Sequence, residues 1–257
     1  MPFAQPRSAR LLHREIALNP RVVIDGNQPV AQMVLWPMPK AVLFDLDGTL
    51  IDSVPDITEA VAELMRSEQL PPFSEAQVRR MVGRGVRALV RRAYDAQGIA
   101  LDELSLDHRT DAMMEIYPRH LMGRTTLMPG VREAIAFFRS GGVPMAVVTN
   151  KPQSAAETIL RHFRLTDAFA VVIGDTENGL PRKPQPDMLL SALARLYVHP
   201  RDAIMVGDSS IDIRAAKAGR IRAVALRCGY ASEPLETFEP ELMIEDLTEI
   251  AAIFAPA

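Results

Sequence analysis

Two aspartates follow directly on a short apolar run near the start of the chain, and their side chains could carry out phosphoryl transfer. The apolar run at 41–44 is followed by Asp45 and, two residues later, by Asp47. An aspartate carboxylate can attack phosphorus and form an aspartyl-phosphate. A second aspartate can protonate the leaving oxygen and then activate water. A divalent cation must screen the repulsion between the attacking carboxylate and the phosphate.

A strand that ends just before these two carboxylates would position them. The run at 41–44 has the length and composition of a strand buried on both faces of a parallel sheet. Alternation along a strand predicts that Asp45 and Asp47 point to the same side, and Gly48 lets the chain turn away. Open α/β sheets bind ligands at the carboxyl ends of their strands, which predicts a binding site here. The alternative is an ordinary Asp-Gly turn with solvated acids.

Polar residues also collect in later segments, and their types suit a phosphate and a metal: Thr149, Asn150, Lys183, Asp208, Ser209 and Asp212. Thr149 offers a hydroxyl and backbone donors to a phosphate oxygen, and Lys183 offers a positive charge to the phosphate and to Asp45. Asp208 adds an oxygen ligand for Mg²⁺, and Asp212, one helical turn later, can bind the metal or support its ligands. Each segment alone could be a helix cap, a turn or a solvated loop. Their occurrence in this order favours one site.

Strands and helices are predicted to alternate after Gly130. Apolar strands are predicted at 143–148, 168–173, 203–206, 221–226 and 241–244, with helical patterns between them. This alternation predicts an α/β fold, a Rossmann-like doubly wound parallel sheet with helices on both faces. Residues 53–123 contain helical patterns and no clear strand, which predicts an all-helical module inserted after the first strand, with Ser53 as a candidate cap of its first helix.

Length, charge and cysteine content limit the possible functions. The 257 residues favour one sizeable domain or a core with an insertion, and the net charge of −3 gives no indication of a nucleic-acid partner. The single cysteine, Cys228, excludes an internal disulfide and a cysteine-based metal site. No apolar run approaches the roughly 18 residues of a membrane span. We expect a cytoplasmic protein, a monomer or homodimer, with residues 1–37 as a loosely attached extension of unknown role.

The polar segments, taken together, resemble the four motifs of the haloacid dehalogenase-like superfamily. The matching residues are Asp45 to Thr49, Thr149, Lys183 and Gly207 to Asp212, and the resemblance covers about residues 39–250. It implies a Rossmann-like core formed by 38–52 and 124–257, with a helical cap domain at 53–123.

The same resemblance implies a role for each site residue. Asp45 is expected to be the nucleophile and Asp47 the acid/base. Phosphate-binding is assigned to Thr149, Asn150 and Lys183, and Ser209 and Asp212 are expected to support the site. The implied ligands of Mg²⁺ are Asp45, the backbone carbonyl of Asp47, and Asp208.

Within the superfamily, several strings are similar to those of the phosphoglycolate phosphatases, namely 44–53, 82–85, 148–152 and 182–186. This similarity implies a small phosphorylated metabolite, 2-phosphoglycolate, as the substrate. Arg84 lies between Gly83 and Gly85 in the cap, a position that could face the core. Its planar fork suits a carboxylate, so we predict that it binds that group of the substrate. The alternative is a solvated arginine.

Other functions use similar residues. A sugar phosphomutase needs the same four motifs, and a phosphatase of another small ester, such as a sugar phosphate, would share the whole core. A non-enzymatic phospho-acceptor, like a signalling receiver domain, also uses aspartate, threonine and lysine on a parallel sheet. Asp45 on the first strand and the insertion at 53–123 argue against the acceptor.

Overall fold

A parallel sheet forms the centre of the computed structural model, which describes residues 36–175 and 179–254. The strands, numbered in chain order, are β1 (Ala41–Phe44), β2 (Ile51–Asp52), β3 (Thr126–Leu127), β4 (Met145–Pro152), β5 (Val171–Asp175), β6 (Ala203–Gly207), β7 (Arg222–Leu226) and β8 (Leu242–Ile244). Within the described ranges, six of these strands form one sheet in the order β5-β4-β1-β6-β7-β8, and every neighbouring pair is parallel.

The strand order places β1 between β4 and β6. Phe44 at the end of β1 is in register with Val147 of β4 and with Val206 of β6. The chain fills one side of β1 with β4 and β5 and then the other side with β6 to β8. The carboxyl ends of β1, β4 and β6 therefore meet where the order reverses, and ligands of open α/β sheets bind at such a point.

Helices cover both faces of this sheet. In chain order they are α1 (Val54–Ser67), α2 (Glu75–Arg79), α3 (Val86–Ala96), α4 (Glu103–Ile116), α5 (Val131–Ser140), α6 (Gln153–His162), α7 (Asp187–Leu196) and α8 (Ser210–Ala218). Val42 and Phe44 pack in one apolar cluster with α5 and α6, whereas Ala41 and Leu43 pack in another with α7 and α8. Alternate residues of β1 thus supply both faces, and the predicted doubly wound α/β fold is confirmed. No helix in the described ranges is long and apolar enough to cross a membrane.

The helices α1 to α4 lie between β2 and β3 in the chain, and they form the predicted helical insertion. The antiparallel pair of β2 and β3 joins the two connections between the insertion and the core. A capping box formed by Ser74 and Gln77 begins α2, as the spacing of these residues indicates. Leu64, Leu89 and Met113 belong to the apolar cluster that contains β1, so the cap packs continuously with one face of the core.

Two local predictions were wrong. Strand β5 begins at Val171 rather than at residue 168, because Thr166–Ala168 form a 3₁₀ turn in which the Ala168 N–H donates to the Leu165 carbonyl at 3.0 Å. Ser53 does occupy the N-cap position of α1, but its side chain makes no capping hydrogen bond. Its hydroxyl is used in the site described below.

Most of the predicted extension, residues 1–35, lies outside the described residues. Trp36 is described, and its N–H donates to the Ile253 carbonyl at 2.8 Å. Its ring packs edge to face against the Phe254 ring, with 6.4 Å between the two ring centres. The Arg222 guanidinium lies 4.7 Å from the centre of the Trp36 ring. The chain is therefore anchored to the core from Trp36 onward.

Candidate active site

Asp45 follows β1 directly and is buried, with 8% of its surface exposed. Its N–H donates to the Val206 carbonyl at 3.0 Å, which continues the pairing of β1 with β6. Its Oδ1 lies 2.8 Å from Lys183 Nζ. Burial raises the pKa of Asp45 to about 7, and the Asp212 carboxylate adds to this rise while Lys183 opposes it. A carboxylate in this position needs positive charge beside it when it ionises.

Lys183 lies between two carboxylates. Besides the contact with Asp45, its Nζ donates a hydrogen bond to Asp212 Oδ1 at 2.7 Å. Burial alone lowers the pKa of Lys183, but Asp212 and Asp45 together outweigh it and raise the pKa above its ordinary value. Asp212 Oδ2 accepts from Ser209 Oγ at 2.6 Å and from the Ser209 N–H at 3.1 Å. Ser209 and Asp212 thus hold a charged Lys183 against Asp45.

Asp47 is positioned by a turn and not by a strand. Strand β1 ends at Phe44, and the chain then turns so that the Gly48 N–H donates to the Ile51 carbonyl at 2.8 Å. Alternation along a strand is therefore the wrong reason for placing Asp47 beside Asp45. The two carboxylates nevertheless line the same two cavities.

Two side chains hold the Asp47 carboxylate. Its Oδ1 accepts from Ser53 Oγ at 2.5 Å and from Lys151 Nζ at 2.8 Å. The side chain of Lys151 is 1% exposed, and its Nζ lies 5.0 Å from the ring centre of Tyr117 in the cap. Sequence reasoning gave no role to Lys151 or Tyr117. The available signals were that Lys151 follows Thr149 and Asn150 without a gap and that it lies in the segment 148–152, which is similar to the phosphoglycolate phosphatases.

Asp208 directly follows β6 and lies in a close-fitting position. Thr49 Oγ1 donates to its Oδ1 at 2.9 Å, and the Tyr230 N–H donates to its Oδ2 at 2.6 Å. A Cβ atom on either Gly48 or Gly229 would overlap the Asp208 carboxylate, and Gly48 also has a φ of +84°. Glycine is therefore required at both positions for the backbone to approach Asp208 this closely.

A cluster of carboxylates can hold a cation. Asp45, Asp208 and Asp212 each offer an oxygen, and these atoms lie within 4.8 Å of one another. Burial raises the pKa of Asp208 well above its ordinary value, and the other two carboxylates add to the rise. In the described part of the site, Lys183 contacts Asp45 and Asp212, and Lys151 contacts Asp47. With Asp208 the site has four carboxylates against these two ammonium groups, so two negative charges remain when all four are ionised. A divalent ion that prefers oxygen ligands, such as Mg²⁺, fits this donor set.

Thr149 and Asn150 lie near the end of β4 and differ in what their side chains do. Thr149 lines a cavity of the site, and its Oγ1 accepts from the Lys151 N–H at 3.2 Å. Asn150 Nδ2 donates to the Gly83 carbonyl of the cap at 3.0 Å and to the Lys183 carbonyl at 2.9 Å, and its Oδ1 accepts from the Lys183 N–H at 3.0 Å. Both amide hydrogens are thereby used, so this side chain links core and cap and has no donor left for the predicted phosphate contact.

Two cavities meet at Asp45 and Asp47 beneath the cap. The cavity on the side of Lys151 and Tyr117, called the inner cavity here, has a volume of about 480 Å³ including space open to solvent, and its walls include Ile57, Val86, Leu89, Met113, Tyr117, Thr149 and Lys151. The cavity on the side of Arg84, called the outer cleft here, has a volume of about 560 Å³ on the same measure, and its walls include Arg80, Arg84, Arg92, Asp208, Ser209 and Tyr230. Arg84 is exposed and lines the outer cleft, so the structure brings it to the same opening as the carboxylate cluster.

The family of the chain follows from comparison with known proteins. A family model described as haloacid dehalogenase-like hydrolase matches residues 39–220, which is well over half of the chain. The chain belongs to the haloacid dehalogenase-like hydrolases. The resemblance inferred from the four motifs is confirmed, and the chain is a hydrolase.

Curated relatives of this hydrolase include proteins named phosphoglycolate phosphatase. Phosphoglycolate phosphatase 1 of Pseudomonas aeruginosa is 39% identical over 219 residues, which cover 83% of this chain and 79% of the relative. The phosphoglycolate phosphatase of Rhodospirillum rubrum is 34% identical over 217 residues, covering 83% of this chain and 90% of the relative. The closer sequence similarity to this subgroup is therefore confirmed.

Solved structures share the fold of this hydrolase. The crystal structure of a predicted phosphoglycolate phosphatase from Haemophilus somnus has a TM-score of 0.77 at 29% identity, covering 83% of this chain and 97% of that one. CbbY from Rhodobacter sphaeroides, solved in complex with phosphate, has a TM-score of 0.70 at 24% identity, covering 83% and 96% of the two chains. The second comparison shows the fold alone.

Proposed function

We propose that this hydrolase is a Mg²⁺-dependent phosphatase that hydrolyses 2-phosphoglycolate through an aspartyl-phosphate intermediate. The arrangement of Asp45 carries the proposal. This buried carboxylate at the end of β1 is paired with Lys183 and lies in one cluster with Asp208. A carboxylate held beside a fixed cation and a site for a divalent ion is suited to attack a phosphate dianion.

The proposed reaction has two displacements at phosphorus. In the first, an Asp45 oxygen forms a bond to phosphorus while the bond to the leaving oxygen breaks, and Asp47 donates a proton to that oxygen. In the second, Asp47 takes a proton from water as the water oxygen attacks phosphorus. This step breaks the bond to Asp45 and releases inorganic phosphate. Thr149 and Lys183 hold phosphate oxygens during both steps.

The metal belongs to the same proposal. Its ligands would be Asp45, the backbone carbonyl of Asp47, and Asp208. When bound, Mg²⁺ offsets the repulsion between the attacking carboxylate and the phosphate. Lys183, held by Asp212, fixes Asp45 from the other side. The excess of carboxylates at the described site supports the proposal that a divalent ion binds there. Because all the proposed ligands are oxygen atoms, Mg²⁺ is the proposed ion.

The names of the relatives support the substrate. Phosphoglycolate phosphatases cover most of this chain at 34% to 40% identity. A small metabolite also suits a site that a helical cap covers from one side. We further propose that Arg84 contacts the substrate carboxylate, that the protein acts in the cytoplasm as a monomer or homodimer, and that the cap spans residues 53–123.

Phosphate release over a panel of metabolites tests the function. The panel contains 2-phosphoglycolate, sugar phosphates and p-nitrophenyl phosphate, each assayed with Mg²⁺. We expect the highest kcat/KM with 2-phosphoglycolate and equal amounts of glycolate and phosphate as products. An isomerised sugar phosphate without free phosphate would identify a phosphomutase. A phosphoenzyme that lasts minutes without turnover would identify a phospho-acceptor.

A further inference from the structure

A buried lysine adjoins the proposed acid/base and has no role in the two displacements. Lys151 lines the inner cavity together with Asp47 and Tyr117. Its Nζ donates to Asp47 Oδ1 at 2.8 Å and faces the Tyr117 ring, whose centre is 5.0 Å away. Lys151 also shares a side-chain hydrogen bond with Tyr117. An ammonium group has three N–H donors, so Asp47 and Tyr117 leave one donor for a further partner.

The inner cavity is otherwise poor in positive charge. Its wall on the cap side is mostly apolar and includes Ile57, Val86, Leu89 and Met113. Among the described residues that line it, Lys151 is the single basic side chain. An anionic group that enters such a space loses water and needs a cation as its partner. Lys151 is therefore the available partner in this cavity for a negatively charged leaving group.

The length of the substrate limits where its second charge can lie. Asp47 is proposed to protonate the leaving oxygen, which must then lie within hydrogen-bonding reach of Asp47. In 2-phosphoglycolate the carboxylate carbon is only two bonds beyond that oxygen. Lys151 already contacts Asp47, so its remaining donor is close enough for a group on so short a leaving group.

We propose that Lys151, supported by the ring of Tyr117, binds the carboxylate of the leaving group in the inner cavity. This inference rests on the proposed function and deepens it, because it names Lys151, in place of Arg84, as the residue that selects a carboxylated leaving group. Lys151 then has three partners, namely Asp47, Tyr117 and the substrate carboxylate. The cap contributes the aromatic ring and the apolar wall beside them.

The test compares 2-phosphoglycolate with ethyl phosphate, in which a methyl group replaces the carboxylate. Lys151→Met removes the charge and keeps the length of the side chain. Ser53→Ala is the matched control, since it removes the other hydrogen bond to Asp47 from a residue that is not part of the cavity wall. We expect Lys151→Met to lower kcat/KM for 2-phosphoglycolate on the order of 30-fold more than for ethyl phosphate. Ser53→Ala should lower both values by the same factor.

Binding provides a second measurement that does not depend on turnover. The phosphonate 3-phosphonopropanoate keeps the carboxylate and cannot be hydrolysed, and propylphosphonate ends in a methyl group instead. Calorimetric titration with Mg²⁺ present should show that the wild type binds the carboxylated phosphonate more tightly and that Lys151→Met has lost this preference. Lys151→Gln, whose amide can still donate to Asp47, takes its place where circular dichroism shows that Lys151→Met is unfolded.

The outcomes separate this inference from the proposed function. A wild type that prefers 2-phosphoglycolate, with the same preference in the lysine variants, overturns the role of Lys151 and leaves the function standing. If Arg84→Ala removes the preference in that case, the carboxylate lies in the outer cleft. A wild type that releases no phosphate from 2-phosphoglycolate, or that prefers ethyl phosphate, overturns both proposals.

Discussion

At the scale of single residues, the role of Asp45 is open to a direct test by Asp45→Asn. Asparagine keeps the shape of the side chain but cannot attack phosphorus, so phosphate release should fall below detection. The fold should be retained, because a buried carboxylate with a raised pKa is itself costly. The exposed Asp95 of α3 supplies the control Asp95→Asn, which should leave turnover unchanged. Residual turnover of Asp45→Asn, after contamination has been excluded, would contradict the assignment.

Asp47→Asn tests the acid/base. General acid–base groups typically contribute roughly 10²–10⁴-fold, so turnover should slow by that order. The loss should be largest for alkyl phosphates, whose leaving oxygen needs the proton, and smaller for p-nitrophenyl phosphate. Steady-state kinetics with both kinds of substrate measure the difference. The same loss for both would argue against proton donation by Asp47.

The glycine beside Asp208 gives a prediction about metal affinity. In Gly48→Ala the new methyl group would displace the Asp208 carboxylate, so half-maximal activity should require about tenfold more Mg²⁺ or more, in line with lost ligand support. Gly142→Ala is the matched control, because Gly142 also has a positive φ of +67° but no neighbouring atom in the way. A Mg²⁺ requirement of Gly48→Ala no higher than that of Gly142→Ala would contradict the predicted displacement of Asp208.

Residue types were more predictable than their contacts. Asp45, Lys183 and Asp208 could be picked out because charged residues after apolar strands need partners, and the sheet brings them together. The contacts of Asn150 and Lys151 could not be inferred, since they depend on how the cap packs on the core. A chain of adjacent polar residues gives no indication of which one faces phosphate, cap or acid.

At the scale of elements, the position of the cap decides whether Arg84 can contact the substrate. Arg84 is exposed and lines the outer cleft, so cap closure would have to remove it from water for a strong contact. If the carboxylate lies in the outer cleft and not beside Lys151, this closure would let Arg84→Ala lower kcat/KM for 2-phosphoglycolate by roughly 30-fold and change ethyl phosphate little. The control is Arg80→Ala, an exposed arginine of the same cleft. Equal losses of kcat/KM on both substrates, or no loss on either, would indicate that Arg84 is a solvated arginine that does not contact the carboxylate.

The elements themselves were predicted unevenly. Strands β1, β4, β6 and β7 are buried and apolar, and their centres follow from composition. The pair of β2 and β3 was missed because each has two residues, too few for any periodic pattern. Asp47 does line the same cavities as Asp45, but strand alternation is not the reason, since a turn stabilised by backbone hydrogen bonds replaces the strand after Phe44.

At the scale of the whole molecule, the excess of carboxylates at the described site predicts that activity depends on a divalent ion. A chelator should abolish phosphate release, and added Mg²⁺ should restore it. Ca²⁺ should inhibit, because its larger and looser coordination shell can misplace the nucleophile. Full activity in excess chelator would contradict the metal requirement.

The same charges predict how the stability of the metal-free protein depends on pH. Burial, with help from Asp212, raises the pKa of Asp45 to about 7, whereas an unfolded aspartate titrates near pH 4. Between these values the folded state holds a proton that the unfolded chain has released, so stability falls as pH rises through this window. The raised pKa of Asp208 acts in the same direction. Above about pH 7 Asp45 is ionised in the folded state as well, so its ionisation lowers the stability no further.

Thermal unfolding measures this dependence. In chelator, Tm should be higher near pH 5 than near pH 8, and Mg²⁺ should raise Tm more at pH 8, because it binds the ionised carboxylates of the folded state. Groups elsewhere also titrate, so Asp45→Asn is the reference: it retains them and lacks the raised pKa of Asp45. Its Tm should therefore differ less between the two pH values than that of the wild type. An identical pH dependence in both proteins would mean that Asp45 ionises without cost, and the buried charge excess would then not be what draws a cation to the site.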